Sequence, residues 1–229
     1  VTFADESHAT RDRLNDTPTG GHWGGAAIVN GAGDECTSSF TVIKSGVRGS
    51  LTAGHCAWVD YVGDVWYTYS GTYDFGKTTA PDDFPAYDMV RIVSDPAHPT
   101  TYGNKIWVDG QDGQNSRTVT GTTNAYVGQT ICASGAVTRS VCGIKVTSTS
   151  FSECYPGLSP CDTYLIYASK PSGLVGQGGD SGAPLYVAPQ GTTNALVLGI
   201  ETGGDKPNVL WGERIAAITS HLGVSVATS

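Results

Sequence analysis

The chain has 229 residues, a formal net charge of -8 at pH 7, and charged side chains at only 15% of its positions. The acidic balance and the lack of any lysine and arginine cluster argue against nucleic acid or an anionic membrane as a partner. Since no apolar run approaches the ~20 residues that span a bilayer, the sequence also predicts a soluble protein with no membrane segment.

The composition favours a particular fold class. Glycine occupies 31 positions, and threonine and valine recur throughout in short runs. Such a composition is typical of many short strands joined by turns, so the sequence predicts an all-β protein. The length suits either one large β domain or two small ones, and both would bury a sizeable core.

Along the chain, the first stretch differs from the rest. Residues 1–22 are polar and lack periodicity, and we interpret them as an arm or a processing remnant. From Trp23 onward, apolar runs of about strand length alternate with turns. The polar, glycine-rich segment from Asp109 to Asn115 is typical of a linker between two halves. The predicted organisation is therefore an arm at 1–22, a first β-barrel at 23–112, a second at 113–212, and a C-terminal helix and tail at 213–229.

The C-terminal tail carries the only helical pattern that stands out. Ile215, Ile218 and Leu222 recur at helical spacing and precede Gly223. Apolar residues on one face followed by a glycine predict a short amphipathic helix that ends there.

Three chemically active residues occur in marked contexts. His55 ends a short apolar segment, Asp88 lies within a strand-like apolar run, and Ser181 is flanked by glycines between Gly176 and Leu185. Because an unpaired carboxylate is costly to bury, Asp88 needs a partner, and His55 is the natural one. A serine hydroxyl becomes a good nucleophile when a base takes its proton and an acid orients that base. The three residues together indicate nucleophilic catalysis.

The sequence has an even set of six cysteines. An even number suits three disulfides in an oxidising compartment, which predicts an extracellular protein. The spacing includes no Cys-x-x-Cys pair, and no histidine-rich segment suggests zinc. We therefore expect no metal and no cofactor.

At these motifs the chain resembles the chymotrypsin-fold serine endopeptidases. Leu51 to Cys56 is similar to the family's histidine motif, Gly179 to Pro184 is similar to its serine motif, and the chain order of histidine, aspartate and serine also agrees. The segment Val127 to Val146, with its two cysteines, resembles the secreted bacterial members similar to streptogrisin and α-lytic protease. The resemblance implies two six-stranded antiparallel β-barrels, with the site between them and a helix at the C-terminus.

The resemblance also implies roles for individual residues. His55 would be the general base, Asp88 would orient it, and Ser181 would be the nucleophile. The N–H groups of Gly179 and Ser181 would form the oxyanion hole, and Thr202 would stand near Asp88.

The resemblance implies a pairing for four of the cysteines. Cys36 would pair with Cys56, and Cys132 with Cys142 as the hairpin disulfide of the bacterial members. Cys154 and Cys161 are then left over and would close a small loop, for which the family suggests no role.

The chain departs from the family at three places. The family's cysteine just before the serine motif is missing and no cysteine follows Ser181, so the pocket wall lacks its usual disulfide. Ala183 replaces a common glycine. The family holds the carboxylate equivalent to Asp180 with a buried cation. In the bacterial members this cation is an arginine after the first hairpin cysteine, where this chain has alanine. Arg139 in the same loop, or a freed Val1 ammonium group, is the expected substitute, with Arg139 favoured.

The specificity pocket is predicted from the same resemblance. Val175 stands where members that prefer basic P1 side chains carry an aspartate, which implies an apolar floor. Thr202, Gly203 and Gly204 would form the opposite wall and leave room for a large side chain. We expect an apolar or aromatic P1 residue, unless the carboxylate of Glu201 or Asp205 turns into the pocket and favours a cation.

The sequence thus predicts a secreted, monomeric serine endopeptidase that cleaves proteins or peptides through an acyl-enzyme. A catalytically silent binding module with the same fold is the alternative. A hydrolase of the α/β class fits poorly, because Ala183 breaks its Gly-x-Ser-x-Gly motif and the composition lacks alternating helices.

Overall fold

The computed structural model describes Arg13, Asp16 and residues 21–57, 63–71, 73–80, 83–111 and 113–228. Strands dominate this part of the chain, with one short α-helix and a 3-10 helix at Gly54–Ala57. The strands are β1 His22–Gly24, β2 Ala27–Asn30, β3 Glu35–Thr37, β4 Val42–Lys44, β5 Val47–Thr52, β6 Val65–Thr68, β7 Asp74–Thr79, β8 Val90–Val93, β9 Tyr102–Gln111, β10 Gln114–Thr122, β11 Thr130–Gly135, β12 Arg139–Glu153, β13 Asp162–Ser169, β14 Pro184–Val187, β15 Asn194–Gly203, β16 Val209–Arg214 and β17 Ser225–Val226.

The strands form two curled sheets. The first has eight antiparallel strands in the order β17-β4-β5-β8-β7-β6-β2-β3, and the second has nine in the order β1-β9-β10-β15-β14-β11-β12-β13-β16. An additional pairing between β15 and β16 closes β11 to β16 into a ring of six antiparallel strands. The all-β, two-barrel class predicted from the sequence is confirmed, although strands such as β1, β3 and β17 extend the sheets beyond six.

Each sheet encloses its own apolar core, and a third core joins them. In the first sheet, Trp66 and Phe75 pack with smaller apolar residues, while Ile131, Ile166 and Leu198 are among those that fill the second. The third cluster lies between the sheets and includes Phe40, Leu51, Met89, Tyr186, Val197 and Ile218. Alternate residues of these strands point inward, so apolar burial fixes the register and the relative position of the sheets.

The predicted linker between the halves is a hairpin. Asp109 and Gly110 have positive φ values of 47° and 78°, and Gly113 donates a backbone hydrogen bond to Gly110 across the turn between β9 and β10. Both strands belong to the second sheet, so the chain passes from one sheet to the other earlier, between β8 and β9. Polar glycine-rich composition indicated a turn correctly, but it did not distinguish a hairpin from a linker between domains.

The helix α1, Ile215–Leu222, matches the predicted C-terminal helix. Ile215, Ile218 and Leu222 are its buried residues, and Gly223 ends it in the left-handed conformation with φ 63°. The chain then returns to the first sheet as β17, which pairs with β4. The helix and tail therefore tie the two sheets together.

Most of the predicted N-terminal arm lies outside the described residues, but two of its side chains are buried. Arg13 donates to the carbonyl oxygens of Gly25 and Gly135, both at 2.6 Å, and pairs with Asp109 at 2.7 Å. Asp16 accepts hydrogen bonds from the backbone N–H of Trp23 and the indole of Trp107. These two residues anchor the arm on the second sheet.

The three predicted disulfides are present, and they join Cys36 to Cys56, Cys132 to Cys142 and Cys154 to Cys161. Among the described residues, no helix has the length and apolar character needed to cross a membrane.

Candidate active site

His55, Asp88 and Ser181 meet between the two sheets. His55 lies in the 3-10 helix after β5, Asp88 precedes β8, and Ser181 precedes β14. The imidazole Nδ1 is 2.7 Å from Asp88 Oδ2, and Nε2 is 2.8 Å from Ser181 Oγ. The backbone N–H of His55 also donates to Asp88 Oδ1 at 2.8 Å, so two hydrogen bonds fix His55 relative to the Asp88 carboxylate. The three residues form one continuous hydrogen-bonded chain.

The Asp88 carboxylate is fully buried and has a further donor that sequence reasoning missed. The hydroxyl of Tyr155 donates a short hydrogen bond to Asp88 Oδ2, and the Tyr155 ring packs edge-on against Phe84. Tyr155 lies inside the segment closed by the Cys154–Cys161 disulfide. The sequence showed that Tyr155 follows Cys154 directly in a loop that the third disulfide would close. It did not show that this loop packs against Asp88.

Two further carboxyl groups lie behind Asp88. Its backbone N–H contacts Asp162 Oδ2 at 3.2 Å and Glu213 Oε1 at 3.1 Å. Burial, followed by the negative charge of neighbouring carboxylates, raises the pKa of both Asp162 and Glu213. Because buried acids this close do not ionise together, Asp162 and Glu213 share a proton. Asp88 accepts hydrogen bonds from three donors, the N–H and Nδ1 of His55 and the hydroxyl of Tyr155.

The protonation of His55 reflects two opposed effects. Burial lowers its pKa, but the charge and hydrogen bond of Asp88 raise it, and the net pKa lies above the usual value for histidine. Asp88 thus makes the imidazole a stronger base toward the hydroxyl of Ser181.

The backbone around Ser181 is held in a conformation that exposes N–H groups. Gly179 has a φ of 93°, which an L side chain rarely adopts, and Thr37 binds both the Gly179 carbonyl through its hydroxyl and the Ser181 carbonyl through its N–H. Within the described part of the chain, the N–H groups of Gly179 and Ser181 have no acceptor. Two such donors flanking a nucleophile can bind a developing oxyanion.

Comparison with known proteins decides the family. The chain is 32% identical over 185 residues to Serine protease 2 of Streptomyces fradiae, a match that covers 79% of this chain and 93% of that relative. This chain belongs to the chymotrypsin-fold bacterial serine proteases.

Further comparisons agree with this assignment. Streptogrisin-D of Streptomyces griseus is 32% identical over 183 residues, which cover 79% of this serine protease and 41% of that relative, so the chain spans less than half its length. The solved structure of a glutamic-acid-specific serine protease superposes with a TM-score of 0.73 at 24% identity and covers 90% of this chain and 100% of its own, which supports the fold. No family model matches the chain.

The environment of Asp180 differs from the predicted pairing in this serine protease. Its carboxylate accepts hydrogen bonds from the backbone N–H groups of Val137, Thr138 and Gln177 at 2.9 to 3.2 Å, whereas Arg139 lies exposed at the turn of the hairpin. Burial raises the pKa of Asp180, and these hydrogen bonds oppose that rise. Three backbone donors occupy the place where the sequence predicted an arginine, and Val1 lies outside the described residues.

The buried guanidinium group of Arg13 and the carboxylate of Asp180 both contact Gly135. Asp180 lies directly against Gly135, whose carbonyl accepts a hydrogen bond from Arg13, and the charge of Asp180 raises the pKa of Arg13 against the lowering by burial. The sequence offered no signal for this contact, because Arg13 is 167 positions away in a polar arm.

The predicted pocket residues lie together beside the serine motif of the protease. Val175 is buried and its N–H donates to Pro207 O at 2.7 Å, so this hydrogen bond links the Val175 segment to the segment that follows Gly204. Gly203 lies against the ring of Trp211, and Gly204 lies against the Val209 carbonyl. Thr202 is buried, but its hydroxyl has no hydrogen-bond partner among the described residues, and Tyr155 supplies the hydroxyl to Asp88 instead.

The described residues contain one group with the spacing of a metal site, formed by Cys36, His55 and Cys56. Both cysteines are joined in a disulfide and offer no thiolate, so the protease does not bind a metal through this group.

Proposed function

We propose that this serine endopeptidase is catalytically active, with His55 as general base, Asp88 as the acid that orients it, and Ser181 as nucleophile. The observation that carries the proposal is the unbroken chain of hydrogen bonds from Ser181 Oγ to Asp88, at 2.8 and 2.7 Å. Such distances allow proton transfer without rearrangement.

The proposed reaction proceeds through an acyl-enzyme. Ser181 Oγ attacks the carbonyl carbon of the scissile peptide bond while His55 Nε2 takes the hydroxyl proton. The N–H groups of Gly179 and Ser181 donate to the oxyanion of the tetrahedral intermediate. His55 then gives its proton to the leaving amine, the C–N bond breaks, and a water molecule activated by His55 hydrolyses the ester.

A silent binding module is less well supported than an active enzyme. A silent member needs to keep the fold but has no reason to retain a nucleophile, base and buried acid in contact. Here all three remain, and Tyr155 adds a further donor to Asp88. The backbone contact between Val175 and Pro207 also supports a formed pocket in the absence of the usual disulfide.

We further propose that the protease works outside the cell as a monomer on protein or peptide substrates. Its three disulfides suit an oxidising compartment, which supports a location outside the cell. Detection of the disulfide-bonded protein in culture medium, and sedimentation at the mass of one chain, would test this part.

Covalent labelling of the active serine tests the main proposal. The wild-type protein and the Ser220→Ala control, which alters an exposed serine of α1, should react with a fluorophosphonate at one site per chain. Ser181→Ala should not react. Equal labelling of Ser181→Ala and wild type, or no labelling of folded wild type, would contradict an active Ser181.

A further inference from the structure

Glu201 places a buried carboxyl group at the base of the loop that carries Ser181. Its backbone is tied to this loop at both sides, because the Gly182 N–H donates to Glu201 O at 2.7 Å and the Glu201 N–H donates to Ala183 O at 2.8 Å. The side chain is 3% exposed. Its Oε1 occupies the space that a side chain on Gly176 would need. The carboxyl group therefore lies against Gly176, which follows Val175, the residue predicted to form the floor of the pocket.

Several buried polar atoms in β15 and β16 lack hydrogen-bond partners among the described residues. Glu201 Oε2, Thr202 Oγ1 and Trp211 Nε1 are buried and make no hydrogen bond within the described part of the chain. Glu201 and Thr202 are adjacent in β15, and Trp211 pairs with Gly203 in the neighbouring strand. Of these atoms, Glu201 Oε2 belongs to the carboxyl group that lies against Gly176. Since a buried polar atom without a partner costs about 1–3 kcal/mol, it indicates a place for a polar ligand group.

The electrostatics around Glu201 favour a cation. Burial raises the pKa of Glu201 well above its usual value, and the negative charge of Asp180 raises it further. A positive charge placed against the carboxyl group would favour its ionised form and so oppose both effects. Asp205, the other carboxylate considered from the sequence, is exposed and does not share this environment.

We propose that the protease cleaves after lysine or arginine, and that Glu201 binds the positively charged P1 side chain. This inference rests on the proposed function of the Ser181 site and names its substrate class. An apolar P1 side chain, as the sequence predicted, would leave the buried carboxyl group of Glu201 without a partner. A glutamate side chain would bring a second carboxyl group against the first.

Peptide cleavage gives the first test. Chromogenic peptides that differ only at P1 should be hydrolysed with higher kcat/KM when P1 is Lys or Arg than when it is Leu, Phe, Gln or Glu. Glu201→Gln should lower kcat/KM for Lys and Arg by about 30-fold to 1000-fold, the range expected for loss of a buried charged partner. The matched control Asp205→Asn should keep the wild-type preference.

Two outcomes of this panel would overturn the proposal. One is faster cleavage by the wild type after Leu, Phe, Gln or Glu than after Lys or Arg. The other is an equal loss on all peptides in a Glu201→Gln protein that still labels fully with a fluorophosphonate. The P1 preference of the wild type can refute the proposal by itself. The proposal therefore remains testable even if the Glu201→Gln variant does not fold.

Ligand binding gives a second test that does not depend on turnover. Benzamidine is a planar cation, and benzamide is its neutral analogue of the same shape. In the Ser181→Ala protein, calorimetry should show benzamidine binding at least about tenfold tighter than benzamide. Comparable or absent binding of both would refute the role of Glu201. If the wild-type protein binds benzamidine tightly but does not react with a fluorophosphonate, the proposal of catalysis by Ser181 is refuted, whereas the proposal of a cation-binding pocket at Glu201 stands.

Discussion

Ser181 and His55 act on the same proton, so their contributions are not separable. We predict that Ser181→Ala and His55→Ala each lower kcat by about a million-fold, and that the double variant loses little more, because either change abolishes the attack. Steady-state kinetics on one peptide substrate would measure all three variants. Retention of more than a few per cent of wild-type activity by Ser181→Ala would mean that another nucleophile operates.

Tyr155 provides the second prediction for a single residue. Tyr155→Phe removes a hydrogen bond to a charged carboxylate, and we expect kcat/KM to fall by about tenfold, which corresponds to ~1.4 kcal/mol. With one donor fewer, Asp88 interacts more strongly with protonated His55, so the pKa of His55 rises. The acid limb of the kcat/KM profile should therefore move to higher pH, because activity needs the neutral imidazole.

The pH profile distinguishes positioning from a general effect on folding. The control Tyr126→Phe alters an exposed hydroxyl and should leave both the rate and the acid limb unchanged. A lowered rate in Tyr155→Phe without any movement of the acid limb would show that the hydroxyl supports the loop and not the Asp88–His55 pair.

The N-terminal arm, interpreted from the sequence as a polar arm or processing remnant, contributes a buried residue to the second sheet. Arg13 is fully buried, and its guanidinium joins the arm to β11 and β9 through Gly135 and Asp109. We predict that Arg13→Gln lowers the free energy of unfolding by about 3–5 kcal/mol, since it leaves buried partners unpaired. Urea denaturation of wild type and variant would measure the difference.

Arg139→Gln is the matched comparison for this element. If Asp180 is satisfied by backbone donors, as its contacts indicate, the exposed Arg139 side chain should contribute less than about 1 kcal/mol to the free energy of unfolding. A larger loss from Arg139→Gln than from Arg13→Gln would restore the pairing expected from the sequence and contradict the arrangement described for Asp180.

The sequence predicted those elements whose signals are local. Periodicity located α1, glycines marked the loop of Ser181, and the motif resemblance joined His55 and Asp88 to it. It did not predict that β9 belongs to the second sheet or that Tyr155 reaches Asp88, because both depend on where distant segments pack. Glu201 lies between these cases. Strand alternation marked Glu201 as a candidate, and its burial and its contact with Gly176 separated it from the exposed Asp205.

The buried acids make the stability of the folded protein depend on pH. Burial raises the pKa of Asp162, Glu213, Glu201 and Asp180, and the pKa of His55 is also raised. The folded state therefore binds more protons than the unfolded chain once pH exceeds about 4, the ordinary carboxyl pKa. Stability should fall as pH rises from there through the raised values.

A neutral replacement tests this pH dependence. Glu213→Gln keeps the shape and cannot ionise, so its free energy of unfolding should decline less between pH 5 and pH 9 than that of the wild type. Denaturant titrations at several pH values would give both curves. Parallel curves for the two proteins would show that Glu213 is not held in its protonated form.

Acid-quenched mass spectrometry would detect the covalent intermediate that we propose between Ser181 and a peptide-derived acyl group. A slowly deacylated lysine p-nitrophenyl ester should release a burst of one equivalent of nitrophenol per chain. The quenched protein should carry the acyl mass on the peptide that contains Ser181. Turnover with no burst and no adduct, or an adduct on another residue, would contradict the account.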